Sequence, residues 1–178
     1  MTPGRGAVHR WSRGRRTIYL RPGEVVLAEK PAHMITVLGS CVALVVHSPR
    51  LQVGGMCHAV LPWALSADDD AAHPRFVEGA VIRLLEGLQA LGAAPSELVI
   101  KAFGGADGLS GAVGGRPSVG SRNVEVLKEV LERRSAHLSV ADLGGNQGRK
   151  LHFLSDTGVV YLKRLGERTR VPDTPEAP

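Results

Sequence analysis

Two cysteines and seven histidines are the residues of this chain best suited to nucleophilic or metal chemistry. Cys41 follows Gly39 and Ser40 within an apolar stretch, and His58 lies in the next apolar stretch. If these stretches are neighbouring antiparallel strands, the imidazole can stand beside the thiol across the sheet. A nearby imidazolium would lower the pKa of the cysteine and populate the nucleophilic thiolate. Cys41 is therefore the candidate nucleophile and His58 its candidate acid/base partner.

Two other interpretations of these residues stay open. Spacing alone favours another interpretation, in which Cys41 is a small buried apolar residue and His58 a hydrogen-bonded histidine at a strand end. A metal site built from Cys41, Cys57, His58 and His73 would lack the paired spacing of zinc ligands. Since Cys57 and His58 are adjacent, they point to opposite faces of a strand. We expect Cys57 to pack rather than react, and we expect no metal or other cofactor.

Composition and charge narrow the class of protein. The 178 residues are 43% hydrophobic and 22% charged, as in an ordinary globular domain. No apolar run approaches the ~20 residues of a membrane span, and no apolar segment follows the basic start. We therefore expect a cytoplasmic protein with free thiols and no direct membrane insertion. The net charge is +5, and arginine and lysine residues are concentrated near the two ends of the chain. This distribution favours solvated tails over a nucleic-acid binding surface.

Hydrophobic patterns in the first third of the chain predict strands. Short β-type runs at 18–20 and 25–28 are separated by a Pro-Gly turn, which predicts a hairpin or a β-arch. The longer apolar run 35–46, which contains Cys41, and the run 53–61 predict two adjacent antiparallel strands.

From residue 77 the period changes to three and four residues, which predicts a helix that ends at Gly92. A second helix is predicted after Ser121, its expected N-cap. The remaining strands are predicted at 98–103, 138–141, 151–154 and 159–162. Because several connections are too short for crossovers, we expect an α/β single-domain layered sandwich with a mixed β-sheet and two main helices. The predicted domain spans 16–166, between a loosely ordered basic tail at 1–15 and a second loose tail at 167–178.

Several ordered segments carry a family resemblance that covers most of residues 16–165. They are Pro22 to Glu24, Thr36 to Ala43, Gly54 to His58, Lys101 to Ala106, Gly120 to Glu125 and Asp142 to Asn146. No single segment is decisive, but the set is specific. With it the chain resembles the CheD family of chemoreceptor glutamine deamidases.

The resemblance implies a protein-glutamine glutaminase, an amidohydrolase that converts receptor glutamine side chains to glutamate through a cysteine thioester. It implies catalytic roles for Cys41 and His58, with Thr36 orienting the imidazole. The backbone of the turn at 39–41 is expected to supply oxyanion donors. The expected substrate-binding residues are Ser40, Gly104 and Gly105. The glycines would let receptor backbone approach closely, although a role as simple strand-end turns is equally consistent with their types.

The resemblance also implies an α/β sandwich related to the deamidase domain of cytotoxic necrotizing toxins. Its implied partners are the cytoplasmic domains of methyl-accepting chemoreceptors and a CheC-type phosphatase. Two other functions stay open. One is a regulatory binding module that activates a CheC-type phosphatase, and the other is a receptor methylesterase, since the same thiolate could attack a glutamyl ester. The presence of both Cys41 and His58 favours an enzyme over a binding module.

Overall fold

The computed structural model describes residues 13–64, 66, 68–107 and 117–166. These residues form strands and two α-helices, with one 3-10 helix at Pro95–Glu97. The strands are β1 (Arg16–Tyr19), β2 (Val25–Ala28), β3 (Ala32–Leu38), β4 (Val42–Ser48), β5 (Val53–Cys57), β6 (Val99–Gly104), β7 (Leu138–Leu143), β8 (Arg149–Leu154) and β9 (Val160–Arg164). The helices are α1 (Val77–Ala90) and α2 (Val119–Arg133). The predicted α/β class with two main helices is confirmed.

The strands form two sheets rather than the single mixed sheet that the sequence predicts. One sheet has the order β1-β3-β8-β9, and the other has the order β2-β5-β4-β6-β7. Pairing is parallel between β1 and β3 and between β6 and β7, and it is antiparallel between the other neighbours. Each sheet is therefore mixed.

The five-stranded sheet forms the middle layer of the fold. Along β4, Val42 and Leu44 pack in the apolar cluster shared with α1 and α2, whereas Ala43 and Val45 pack in the cluster shared with the four-stranded sheet. Because both faces of β4 are buried, its sequence from Val42 to Val46 is continuously apolar instead of alternating. The layers are thus sheet, sheet and helices.

This burial explains one wrong prediction. The run 35–46 is not one strand, because β3 ends in the four-stranded sheet and β4 begins in the five-stranded sheet. Residues 39–41 connect them, so Cys41 lies in a sheet-to-sheet connection instead of a strand. The predicted antiparallel pairing of the second half of the run with 53–57 is confirmed. Strands β1 and β2 also lie in different sheets, so their connection is an arch and not a hairpin.

The helices follow the predicted periodicity, with one correction at a cap. Helix α1 buries the predicted apolar stripe, and Gly92 follows its end at a φ of 91°. The N-cap of α2 is Ser118, not Ser121: the Ser118 side chain accepts a hydrogen bond from the Ser121 backbone amide at 3.0 Å. Ser121 occupies the third helical position, whose amide an N-cap side chain satisfies. Neither helix in the described ranges is long and apolar enough to cross a membrane.

The predicted tails lie largely outside the described residues. Residues 1–12 and 167–178 are not described, and of the rest of the N-terminal tail Arg15 is bound to Asp156. Its guanidinium donates two hydrogen bonds of 2.7 Å to that carboxylate. This ion pair ties the start of β1 to the turn between β8 and β9.

Strand β6 ends at Gly104 and is followed by Gly105; both glycines are buried and have a positive φ, of 109° and 69°. A Cβ atom on Gly104 would lie 2.2 Å from the carbonyl oxygen of Cys41. No side chain fits such a distance, so glycine is required where β6 meets the connection between the sheets.

Gly104→Ala is therefore expected to lower the free energy of unfolding by about 3 kcal/mol or more, since the left-handed strain and the clash add. Gly144→Ala is the matched control. Gly144 has a φ of 74°, but a Cβ atom there would have no heavy atom within 4 Å beyond its chain neighbours, so only about 1 kcal/mol of strain is expected. Urea unfolding measures both changes. Equal losses in the two variants would contradict the close approach.

Candidate active site

The candidate catalytic residues gather at the end of the sandwich where the chain passes between the sheets. Val42 and Ala59 exchange two backbone hydrogen bonds, of 3.0 and 2.9 Å, at the end of the β4–β5 pairing. Cys41 precedes this pair of residues on one chain segment, and His58 precedes it on the other. In this register Cys41 and His58 are diagonal neighbours, for which Cβ atoms lie up to about 7–8 Å apart.

Cys57 and His58 lie on opposite faces, as the two-residue period predicts. Cys57 is buried in the cluster beneath the helices, where its Sγ accepts a hydrogen bond of 3.4 Å from the Leu44 amide. Burial raises the pKa of the Cys57 thiol to about 12. The described residues contain no group of three or more His, Cys, Asp or Glu side chains that could hold a metal ion.

His58 faces the space between the sheets and meets Thr36 of β3 there. The Thr36 Oγ1 lies 2.8 Å from the His58 Nδ1, and it donates a hydrogen bond of 3.1 Å to the Leu20 carbonyl. Since a hydroxyl has one hydrogen, the Nδ1–H must donate to Thr36. The neutral ring therefore carries its free lone pair on Nε2.

The Nε2 atom is buried and has no hydrogen-bond partner in the described part of the chain. Burial lowers the pKa of His58, and the nearby Glu24 carboxylate raises it by less. The imidazole is therefore held neutral near neutral pH, in the tautomer that can accept a proton at Nε2.

Cys41 is partly buried and packs against the cluster between the sheets. Burial raises the pKa of its thiol, while its own backbone amide has a smaller lowering effect. These directions oppose the expected thiolate–imidazolium pair. The reason is that both groups lose more hydration through burial than they gain from neighbouring charge. Both shifts favour a thiol and a neutral imidazole over an ion pair in the free protein.

All three carbonyls of residues 39–41 are anchored to the body of the protein. The Gly39 and Cys41 oxygens accept backbone hydrogen bonds of 2.9 Å from Ala106 and 2.8 Å from Gly105. The Ser40 oxygen accepts one of 2.9 Å from the side-chain amide of Asn123. Within the described ranges, the amides of residues 39–41 donate no hydrogen bond to another residue.

Because the peptide bond is planar, hydrogen bonds to these carbonyls also determine the direction of the amide N–H groups. In a planar trans peptide the N–H points opposite to the C=O of the preceding residue. Anchoring the Gly39 and Ser40 carbonyls therefore aims the Ser40 and Cys41 N–H groups away from the anchors. Two such donors beside a thiol can stabilise an oxyanion formed on an attacked carbonyl.

Of the residues expected to bind substrate, Ser40 is exposed beside Cys41, whereas Gly104 and Gly105 are buried. The close approach that Gly104 permits is made by the chain's own Cys41 carbonyl. Contact of these three residues with a substrate stays a prediction.

Residues that the sequence interpretation missed hold this region together. Arg149 is fully buried and donates hydrogen bonds to the Asp142 carboxylate, at 2.8 Å, and to the Gly144 carbonyl, at 2.6 Å. The Gly144 amide in turn donates to the Gly104 carbonyl at 2.9 Å. The signals in the sequence are an arginine at the start of an apolar strand and, for Asn123, a polar residue on the apolar side of α2.

A partly buried thiol, an imidazole with a fixed tautomer and free amides beside the thiol are typical of the class of cysteine hydrolases.

A family model described as CheD chemotactic sensory transduction matches residues 60–164. A probable chemoreceptor glutamine deamidase CheD 2 of Geobacter sulfurreducens is 44% identical over 148 residues, covering 83% of this chain and 89% of the relative. A probable chemoreceptor glutamine deamidase CheD of Maridesulfovibrio salexigens is 42% identical over 159 residues, covering 84% and 92%. The chain belongs to the CheD family.

The raised pKa of Cys41 predicts how the free protein reacts with iodoacetamide. Only the thiolate is alkylated, so the rate at Cys41 should rise with pH through a midpoint above the ~8.5 of an ordinary cysteine. Cys57 should stay unmodified in the folded protein. Peptide mass spectrometry after timed labelling separates the two sites. A plateau of Cys41 alkylation well below that midpoint would instead support a preformed ion pair.

Proposed function

We propose that this chain deamidates glutamine side chains of methyl-accepting chemoreceptors in bacterial chemotaxis, with Cys41 as nucleophile, His58 as acid/base and Thr36 as the residue that orients the imidazole. The names of the relatives, probable chemoreceptor glutamine deamidases, support the activity. The observation that carries the residue assignment is the Thr36–His58 hydrogen bond of 2.8 Å, which leaves Nε2 as a buried acceptor on the Cys41 side of the sheet.

In the first half of the reaction, the Cys41 sulfur attacks the side-chain amide carbon of the substrate glutamine. The thiol proton passes to His58 Nε2, and the carbonyl oxygen becomes an oxyanion held by the Ser40 and Cys41 amides. His58 then donates its proton to the nitrogen as the carbon–nitrogen bond breaks. Ammonia leaves, and a thioester to Cys41 remains.

In the second half, a water molecule attacks the thioester carbon while His58 Nε2 accepts its proton. The carbon–sulfur bond breaks, the sulfur regains a proton from His58, and glutamate is released. One water is consumed and one ammonia formed per glutamine. The histidine therefore serves as base and acid in each half.

The neutral pair fits this sequence of proton transfers. A thiol with a raised pKa needs a base at the moment of attack, and a histidine with a lowered pKa is available in its base form. Since the base form exists above the pKa, lowering that pKa extends the active range below the usual ~6.5 of histidine. Activity should be lost as the pH falls through the lowered value.

The proposal includes partners and a location. The substrate would be the cytoplasmic domain of a chemoreceptor, which places the reaction in the cytoplasm, and a CheC-type phosphatase would be a regulatory partner. Ser40, exposed beside the thiol, would contact the substrate. Gly105 would act mainly through its amide, which donates to the Cys41 carbonyl, and Gly104 by leaving room for that carbonyl. The proposal also includes a fold related to the deamidase domain of cytotoxic necrotizing toxins. If it holds, the active site of that domain should match the arrangement around Cys41 and His58.

Cys41→Ala is expected to reduce ammonia release from a purified receptor cytoplasmic domain by at least about 10⁴-fold, because no other thiol can replace the nucleophile. Cys57→Ala is the matched control and should retain activity, since Cys57 packs under the helices. Circular dichroism checks that both variants fold.

The same assay separates the competing functions. Methanol release from a methylated receptor, without ammonia from an amidated one, would identify a methylesterase. Normal turnover by Cys41→Ala would remove Cys41 from the mechanism. A wild-type protein that binds a CheC-type phosphatase but releases neither product would favour the regulatory module.

Thr36→Val should lower kcat by about 100-fold, because the valine cannot accept the Nδ1 hydrogen that fixes the tautomer of His58. Thr36→Ser, which keeps the hydroxyl, is the matched control and should retain most of the activity. Steady-state kinetics with a receptor substrate measure both. If the two variants had equal kcat values, the hydroxyl would have no part in orienting the base.

A further inference from the structure

Asn123 lies in the first turns of α2 and is fully buried. Its Nδ2 donates hydrogen bonds to two backbone carbonyls, Ser40 at 2.9 Å and Val60 at 3.0 Å. Because both acceptors are oxygens, the amide has only one orientation that avoids oxygen–oxygen repulsion. One side chain therefore bridges the segment that carries Cys41 and the segment that carries His58.

The other end of the same amide is not satisfied. The Asn123 Oδ1 is buried and has no hydrogen-bond partner in the described part of the chain. A buried acceptor without a partner carries a desolvation cost, which the two donor contacts of the same amide have to offset. Its two donor contacts must account for its presence.

The Ser40 contact bears directly on the proposed chemistry. The Ser40 carbonyl and the Cys41 N–H belong to one planar trans peptide, so a hydrogen bond to the carbonyl fixes the direction of that N–H. The Val60 contact acts on the other segment, two residues after His58. In the register of the β4–β5 pairing, Val60 is the residue opposite Cys41.

We infer that Asn123 is a positioning residue for the oxyanion site: by holding the Ser40–Cys41 peptide against the Val60 carbonyl, it aims the Cys41 N–H at the oxygen of the attacked carbonyl. This inference rests on the proposed function and adds a residue from helix α2 to it. Asn123 acts through the Cys41 amide and does not itself touch the substrate.

Two reactions of Cys41 separate this role from general support of the fold. Alkylation by iodoacetamide forms a carbon–sulfur bond, releases iodide and generates no oxyanion. Addition to a peptide whose glutamine side chain ends in an aldehyde forms a thiohemiacetal: a carbon–sulfur bond forms, the carbonyl π bond breaks, and the oxygen that gains this electron pair takes the thiol proton. Only the second reaction uses the oxyanion donors.

Asn123→Ala should weaken binding of the aldehyde peptide by about 100-fold and lower kcat for receptor deamidation by a similar factor, with KM and the alkylation rate little changed. Ser155→Ala is the matched control. Ser155 is fully buried and accepts a hydrogen bond of 2.9 Å from the Ala32 amide, at the opposite end of β3. It should lose stability but keep both reactions.

A second variant covers the case in which Asn123→Ala does not fold. Asn123→Asp keeps the shape, but an ionised carboxylate repels both carbonyls, whereas a protonated one can donate to one of them. Its affinity for the aldehyde peptide should therefore recover as the pH falls, relative to wild type on the same pH series. Near-UV circular dichroism shows which variants keep native packing.

The inference is overturned if a folded Asn123→Ala binds the aldehyde peptide as the wild type does, if it loses alkylation and addition in equal proportion, or if Ser155→Ala loses as much. The inference is also overturned if Asn123→Asp binds the aldehyde peptide with wild-type affinity at every pH of the series. If the wild-type protein releases no ammonia from receptors, the proposed function fails. The comparison of addition with alkylation still decides the role of Asn123 in that case.

Discussion

Between β3 and β4 the chain passes from one sheet to the other through residues 39–41, and each carbonyl of this passage is held by a donor from outside it. The rest of the site depends on that constraint. With the carbonyls fixed inward, the thiol stays at the mouth of the space between the sheets, and the amides remain available. Gly104 is part of the same constraint, because only a residue without a Cβ allows the Cys41 carbonyl so close to β6. Arg149 extends it by fixing the turn that binds Gly104.

Burial also decides the charge state of the reacting groups. A thiol with a raised pKa and an imidazole with a lowered one are less reactive towards chance electrophiles than an ion pair would be. Under the proposed mechanism, Cys41 becomes reactive only when the substrate carbonyl is bound at the free amides. The negative charge that develops on the carbonyl oxygen is then stabilised by hydrogen bonds from these amides. This arrangement places the selectivity in the fit of the substrate and not in the nucleophilicity of the resting thiol.

The sequence predicts those features that follow from short-range patterns. The stripe from Val77 identifies α1, and the two-residue period places Cys57 and His58 on opposite faces. It misses the break at 39–41, because the apolar run continues on both sides of Gly39 and Ser40 and two small residues alone do not specify a change of sheet. The predicted N-cap of α2 lies three residues too late because serines occur at both the cap and the position whose amide it binds.

The Thr36–His58 contact illustrates the other limit: it joins two sheets, so it depends on how they stack, and no spacing along the chain encodes that distance. The family resemblance supplies Thr36, and the structure brings it to His58. Asn123 lies in one of the segments that carry the family resemblance, but its role is not predicted, since a single polar residue in an amphipathic helix is ordinary until its partners are known.

Two buried acceptors without a partner among the described residues, His58 Nε2 and Asn123 Oδ1, lie on the two sides of the five-stranded sheet near Cys41. Folding alone disfavours both, because each loses its hydrogen bonds to water and gains none in return. Their origins differ. The Nε2 lone pair gains a proton during the proposed reaction, so its lack of a partner is part of the chemistry. The Oδ1 atom lacks one because the amide is turned so that its nitrogen reaches Ser40 and Val60. Under the proposed mechanism, the first atom belongs to the base, and the second to the residue that directs an oxyanion donor.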